Sequence, residues 1–423
     1  MTAANVRARL AASLPATHLA RLEQVRQQAA EAGTPAYLAG GLVRDLLLGR
    51  PVTDMDFVVV PHRADEPAPA PKLARALART HGGQVTVHKA FGTATWQDPD
   101  GALLDFATAR TETYAHPGAL PTVAPATDIA TDLRRRDFSI NAMAVRVDGD
   151  HLGELVDPYG GQTDLGAGVL RVLHPGSFQD DPTRMFRAVR YEQRLNFQMA
   201  GDTAGLIEGA LLEMAAISGE RLRHELELAF RETNPPAVLA RMARLGLLAA
   251  IHAAMRWDEA ETASVAVLPH LPRPTWQWSS AWPLDSIYLA LVLRRASADE
   301  AAGALERLSA NRAVHEAVTG AVELKLSGTR PSEMVAELDS LSLDGVVAAY
   351  IAKPEVRENL DTYLSRWRFV RAKITGDDLF ALGLPPGPRY KRILGRLRAA
   401  RLDGEVHDEA GELALVRELA GLE

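Results

Sequence analysis

Apolar residues recur at helical spacing through residues 3–32, which predicts one amphipathic helix ended by Gly33 and Pro35. Ala36-Tyr37-Leu38 follows as a short strand running into the pair Gly40-Gly41. Residues 42–48, LVRDLLL, predict a helical turn or two stopped by Gly49 and Pro51. The run from Asp54 to Val60 is rich in Val and Phe and reads as a strand. Residues 61–71 hold four prolines and read as a loose connection, followed by a helix at 72–80 that Gly82-Gly83 ends. Two more strands are expected at 84–89 and 102–108, with Phe91-Gly92-Thr93 between them. Residues 111–131 contain three prolines and neither lysine nor arginine. They read as a long loop, a class of segment that in compact domains is usually functional or mobile. A further strand is expected near 144–147. From about residue 151 the pattern turns Gly-rich and irregular, and after Pro182 it is predominantly helical. The order is therefore a mixed α/β head followed by an all-helical remainder, with no internal repeat.

Length and composition narrow this little. A chain of 423 residues fits two to four domains. The content is ordinarily globular, 47% hydrophobic and 24% charged. A net charge of -7 argues against indiscriminate nucleic-acid binding and leaves room for a local basic groove. The absence of cysteine excludes disulfides, thiolate metal sites and a cysteine nucleophile. No apolar run reaches the roughly 18 residues of a membrane span, and the first residues lack the apolar core of a signal peptide. The expectation is a cytoplasmic protein with no membrane contact.

Three clusters carry candidate chemistry. In the first, Asp54 and Asp56 stand at i and i+2, which places both on one face of a strand. Asp105 lies in a neighbouring predicted strand and offers a third carboxylate. Hard carboxylate oxygens suit Mg2+, and a pair of such ions suits phosphoryl displacement. Just upstream, Gly40 and Gly41 let backbone N–H groups approach an anion at a helix start, beside Arg44. The second cluster is Arg135-Arg136-Asp137 with Asn141. Arginine forks onto phosphate, and an aspartate can accept from a ribose hydroxyl. The third is Asp180-Asp181-Pro182-Thr183-Arg184, continuing through Arg187 and Arg190. Asp181 and Arg184 at i and i+3 lie side by side on a first helical turn. One acceptor beside one forked donor matches the Watson–Crick edges of cytosine and adenine, which both set an amine next to an acceptor. Taken singly, each cluster also fits a polar strand end, a charged helix start or a capped helix. No Walker loop or dinucleotide fingerprint is present.

Together the clusters resemble the class II tRNA nucleotidyltransferase and bacterial poly(A) polymerase family. The matching stretches are GGLVRDLLLGRPVTDMDF (40–57), RRRDFSINAMA (134–144), LVDPYGGQTDL (155–165), DDPTRMFRAVRY (180–191) and GERLRHEL (219–226). A tail stretch at 374–397 is similar as well. The resemblance implies an α+β fold, with a polymerase-β-like nucleotidyltransferase head at 1–150. An all-helical neck (151–232), body (233–358) and tail (359–423) would follow. It implies Mg2+ on Asp54 and Asp56; Asp105, read from its strand position alone, stays open between a third catalytic carboxylate and a solvated strand acid. The triphosphate would meet Gly40, Gly41 and Arg44, and the sugar and phosphate would meet Arg136, Asp137 and Asn141. The base would be read by Asp181 and Arg184, with Arg187 and Arg190 on the same helix and Glu220 and Arg223 stiffening it. The implied partners are the tRNA acceptor end, CTP and ATP. The implied reaction is attack of the tRNA 3′-OH on the α-phosphate with release of pyrophosphate. Arg389, Lys391, Arg392 and Arg396 lie in a run of five arginines and one lysine without an acid, as tRNA backbone contact would need. The sequence departs from the family by Asp180 in place of the usual Glu. The loop 111–131, which in the family helps switch from C to A addition, carries no basic residue. Full CCA addition, CC-only or A-only addition, poly(A) synthesis and a silent RNA-binding homologue all stay open, as does the oligomeric state.

Overall fold

The computed structural model describes residues 2–52 and 55–421. They form two compact units that divide between Ile217 and Ser218.

The first unit opens with two helices, α1 (Ala3–Ser13) and α2 (Ala16–Glu31), where the periodicity predicts one. Pro15 explains the break. It has no N–H to donate, and it forces Leu14 into extended backbone, φ -88° and ψ 137°. Next come β1 (Ala36–Ala39), α3 (Gly41–Leu48), β2 (Asp56–Val59) and α4 (Pro69–His81). Helix α4 starts three residues earlier than expected, because proline is well tolerated in a first helical turn. Strands β3 (Gln84–His88), β4 (Thr93–Gln97) and β5 (Leu103–Thr108) follow. Strand β4 is absent from the sequence reading. The segment 111–131 is more ordered than a loop. It takes part in a hairpin of β6 (Arg110–Thr113) and β7 (Thr122–Pro125) and then enters α5 (Ile129–Arg134). Strands β8 (Ala144–Arg146) and β9 (Leu155–Val156) complete the main sheet. After α6 (Gly161–Ala167), β10 (Val169–Leu170), α7 (Ser177–Asp180) and α8 (Thr183–Leu195), a short β11 (Gln198–Met199) pairs with β10.

Among the described residues the sheet runs β3-β4-β5-β2-β1-β8-β9, with β2 and β5 parallel and the other neighbours antiparallel. Its alternation separates two faces. Phe57, Trp96, Leu104 and Phe106 are buried with α4, whose Leu73, Ala74 and Leu77 are buried too. Phe57 and Phe106 stack at 5.1 Å between ring centroids. Each such side chain contributes about 1.5–3 kcal/mol by burial. The opposite face of the same strands carries Asp56, Asp105, Thr93 and Thr95. A core on one side thus holds a polar platform on the other.

The second unit is helical throughout its described elements. The helix Leu343–Ala352 is buried at its centre from Gly345 to Ala352. Trp276 is fully buried, meets Tyr350 edge-on at 4.9 Å and donates its Nε1 to Asp361. It therefore packs into the core rather than offering a base platform. Among the described residues no helix is long and apolar enough to cross a membrane.

Candidate nucleotide site

The end of β1 delivers Gly40 with φ +83° and ψ -134°, a conformation that a side chain would strain. A Cβ there would also collide with Nη1 of Arg136. Glycine is required because backbone and guanidinium share this space. Gly41 opens α3, and Arg44 follows one turn later, buried. The Arg44 fork is committed on both sides. Nε and Nη2 donate to Asp45 at 3.0 and 2.7 Å, and Nη1 donates to Asn141 Oδ1 at 2.7 Å. Its plane lies over the Tyr191 ring at 5.1 Å.

The bonds continue in a chain. Asn141 Nδ2 donates to Asp137 Oδ1 at 3.0 Å, and Asp137 Oδ2 accepts from Arg187 Nε and Nη2 at 2.9 and 2.6 Å. Burial alone would raise the Asp137 carboxyl. Arg187 and the Asn141 amide outweigh that and hold it below the usual carboxylate range. So Asp45, Arg44, Asn141, Asp137 and Arg187 form one continuous relay from α3 to α8. Arg136 is pulled below the usual arginine value by burial, against the pull of Asp132. Its Nε is buried with no hydrogen-bond partner among the described residues. An orphaned cationic donor of this kind is what an anionic ligand would satisfy.

Asp181 precedes α8 and accepts from the Thr183 N–H at 3.1 Å and its hydroxyl at 2.7 Å. Arg184 is buried; its Nη1 donates to Ser177 Oγ at 2.7 Å and its Nη2 to the Arg135 carbonyl at 2.8 Å. Asp180 faces His174 at 3.6 Å, and burial lowers the His174 imidazole.

A polar cleft of about 340 Å³ gathers Gly41, Arg136, Asp137, Asn141, Asp181, Arg184 and Arg187. Gly40 and Arg44 stand behind its wall, and Arg190 is buried on α8. Arg135 and Arg136 are shared with a second cleft of about 400 Å³, which holds Asp56 and Asp105. Those two carboxylates are register partners on the parallel strands β2 and β5, both exposed. Thr95 donates to Asp105 Oδ1 at 2.5 Å. Asp54 lies outside the described residues. Among the described residues no group of three or more His, Asp or Glu side chains is set to hold a metal ion. The paired hard oxygen donors nonetheless fit a divalent cation such as Mg2+.

Two cleft residues went unseen in the sequence. Glu112 and Tyr114 come from the hairpin region read as loop. Glu112 Oε1 accepts from Arg110 Nη2 at 2.9 Å and Arg135 Nη1 at 3.0 Å, and Oε2 accepts from the Tyr114 hydroxyl at 3.1 Å. Burial and the adjacent Glu112 carboxylate push the Tyr114 phenol up to about 12. The alternation Thr111-Glu112-Thr113 against Thr122-Val123 was the available signal.

Residues 36–171 match the family model described as Poly A polymerase head domain. Residues 196–255 match the one described as probable RNA and SrmB-binding site of polymerase A. An A-adding tRNA nucleotidyltransferase of Halalkalibacterium halodurans is 32% identical over 95% of this chain and 92% of its own length. The chain belongs to the tRNA nucleotidyltransferase family. In Geobacter sulfurreducens an A-adding family member is 34% identical over 96% of this chain, which spans only 48% of that longer protein. A CC-adding member from the same organism is 30% identical over 89% of this chain and 90% of its own length. A solved structure of a Thermotoga maritima CCA-adding enzyme with tRNA superposes with a TM-score of 0.78 at 27% identity, covering 99% of this chain and 98% of that one. A CCA-adding enzyme with ATP gives a TM-score of 0.80 at 28% identity, with 99% of both chains covered.

The basic run of the second unit lies on the helix Pro388–Leu402. Arg389 donates to the Leu419 and Ala420 carbonyls, and Arg396 pairs with Glu405. Arg398 pairs with Asp339, and Arg401 with Glu412. Lys391 and Arg392 are exposed. Arg223 donates to the carbonyls of Leu308 and Ser309.

Proposed function

We propose that this family member extends the 3′ end of tRNA by template-independent addition of C and/or A from CTP and ATP. One observation carries the reading. A cleft that pairs Asp181 with Arg184 is joined, through Arg135 and Arg136, to a cleft that presents Asp56 and Asp105. In this assignment Asp181 accepts from the exocyclic amine of the base and Arg184 donates to its ring acceptors. Arg136 takes phosphate through its orphaned Nε, and Gly40 keeps the space for it. Both Asp137 oxygens are occupied by Asn141, Phe138 and Arg187. Asp137 therefore serves chiefly to aim those groups, and the Asn141 and Arg187 edges face the ribose and phosphates. Asp54 and Asp56 would hold Mg2+, with Asp105 beside them; the ion, when bound, would neutralise charge developing at the α-phosphate. The head at 1–150 and neck at 151–232 hold this chemistry. The body at 233–358 and tail at 359–423, with Lys391 and Arg392 foremost, take the tRNA.

Within that reading, terminal A addition is favoured. The A-adding relatives are 34% and 32% identical, and in Geobacter sulfurreducens the CC-adding member is the more distant at 30%. The test is to incubate the protein with tRNAs ending before CCA, after C and after CC, with each nucleotide, and to sequence the products. A-only activity should extend the tRNA ending in CC by one A. Long A tracts on unrelated RNA would replace this reading with poly(A) synthesis. No incorporation despite tRNA binding would leave a silent homologue.

A further inference from the structure

The carboxylate cleft continues past the carboxylates, and its far end has no assigned role. The strand register puts two rungs of residues on the sheet face that carries the carboxylates. One rung runs Asp56, Asp105, Thr95, Thr86, and the other Val58, Ala107, Thr93, His88. Successive strands stand about 4.8 Å apart, so His88 lies roughly 10 Å from the Asp105 strand, on the side away from Asp56. His88, Thr93 and Thr95 all line the cleft, and His88 is exposed. The other wall is Arg135 and Arg136, beyond which lies the cleft assigned to the nucleotide.

In-line displacement sets the direction of approach. The attacking oxygen and the departing pyrophosphate lie on opposite sides of the α-phosphate. With the triphosphate against Arg136 and the glycine pair, the attacking 3′-OH must arrive from the β5-β4-β3 side. We infer that His88 and Thr93 bind the terminal nucleotide of the single-stranded RNA acceptor and set its 3′-OH over Asp105. The assignment rests on the nucleotidyltransferase reading above. The imidazole offers a flat face to the terminal base, and the Thr93 hydroxyl offers a donor and acceptor to its ribose. Lys89, next in the chain and exposed, lies where the preceding phosphate would pass. The short turn Lys89–Phe91 that follows is tied to β6, since Arg110 Nη1 donates to the Phe91 carbonyl at 3.4 Å.

The experiment uses the full chain, a tRNA ending in CC and ATP, with His88→Ala, His88→Gln and Thr93→Val. His88→Ala should raise the KM for tRNA about tenfold or more, the scale of one lost stacking contact. ATP binding measured without tRNA should stay at the wild-type value, and His88→Gln should recover part of the loss. A photoreactive 4-thiouridine at the tRNA 3′ end should crosslink to residues 84–97 of the wild type. Wild-type acceptor kinetics in His88→Ala and Thr93→Val, or a crosslink mapping elsewhere, would overturn the assignment. Equal losses of ATP and tRNA binding would also overturn it, by showing a general collapse of the cleft. If the wild type extends no tRNA at all, the functional reading falls, and the acceptor assignment with it.

Discussion

Breaking the Asp137–Arg187 pair is the sharpest test of the relay. Asp137 is 6% exposed, and Arg187 reaches it with two N–H groups at 2.9 and 2.6 Å. Asp137→Asn keeps the shape but replaces one acceptor oxygen with an NH2 that faces another donor. A hydrogen bond to a charged group contributes about 1.5–3 kcal/mol. The Arg187 side chain is 39% exposed, so solvent screening takes the estimate toward the low end, about 2 kcal/mol. For a unit of this size that is a drop of about 4–8 °C in Tm. Arg187→Gln and the double variant close a thermodynamic cycle, read by urea unfolding. A coupling below about 0.5 kcal/mol would refute the relay as a stabilising element. The pH dependence is a second check. The folded carboxyl is held low, so its contribution is complete above the unfolded value near ~3.9 and fades as pH falls through the folded value. The stability gap between wild type and Asp137→Asn should therefore be constant from neutral pH to about pH 5 and narrow below pH 4. A gap that widens on acidification would show that the ionised carboxylate is not the stabilising form.

Arg184→Ala should lose about 1–3 kcal/mol of base discrimination, so that UTP and GTP enter products roughly 5- to 150-fold more often relative to ATP; unchanged selectivity in a competition assay would place base reading elsewhere. Gly40→Ala should cost about 1–3 kcal/mol of stability through its positive φ and should weaken ATP binding by displacing Arg136, which calorimetry of the folded variant would detect. Lys391→Ala and Arg392→Ala should each flatten the salt dependence of tRNA binding by about 0.7–0.9 in log–log slope. Arg389→Ala should leave that slope alone and lower thermal stability, because its guanidinium holds the Leu419 and Ala420 carbonyls.

What was legible in the sequence was local. The glycine pair, the Arg-Arg-Asp run and the Asp-Asp-Pro-Thr-Arg helix start each announce their conformation within a few residues. Their chemistry did not follow from residue type and spacing singly; it was implied only by the family resemblance of the clusters taken together. What was not legible depends on pairs distant in the chain. Arg44 and Asn141 are 97 residues apart, Asp137 and Arg187 are 50 apart, and no periodicity links them. Strand β4 was hidden because Thr93–Gln97 is short and only its Ala94 and Trp96 face the core. Pro15 was visible, but an otherwise continuous apolar pattern argued past it. The tail shows the same limit in electrostatics. Its basic run reads as one patch, whereas the fold spends Arg396, Arg398 and Arg401 on acids that only tertiary structure brings near.

The hairpin region 110–125 gives the most instructive difference. Its only lysine or arginine is Arg110, at its first position, and residues 111–125 carry neither. In the fold its contribution is an acid. Glu112 gathers Arg110 and Arg135 on one oxygen, and the carbonyl of Arg135 in turn holds Arg184. Without that carboxylate, Arg110 and Arg135 would repel each other beside Arg184, the arginine proposed to read the base. Like charges this close disfavour a compact site unless an anion stands between them. Arg184 is thereby fixed from two directions, by Ser177 on its own side and through Arg135 by the hairpin. A base-reading fork needs its geometry set before the nucleotide arrives, because each misaligned donor forfeits discrimination. A segment poor in cations can therefore govern how cations elsewhere are aimed.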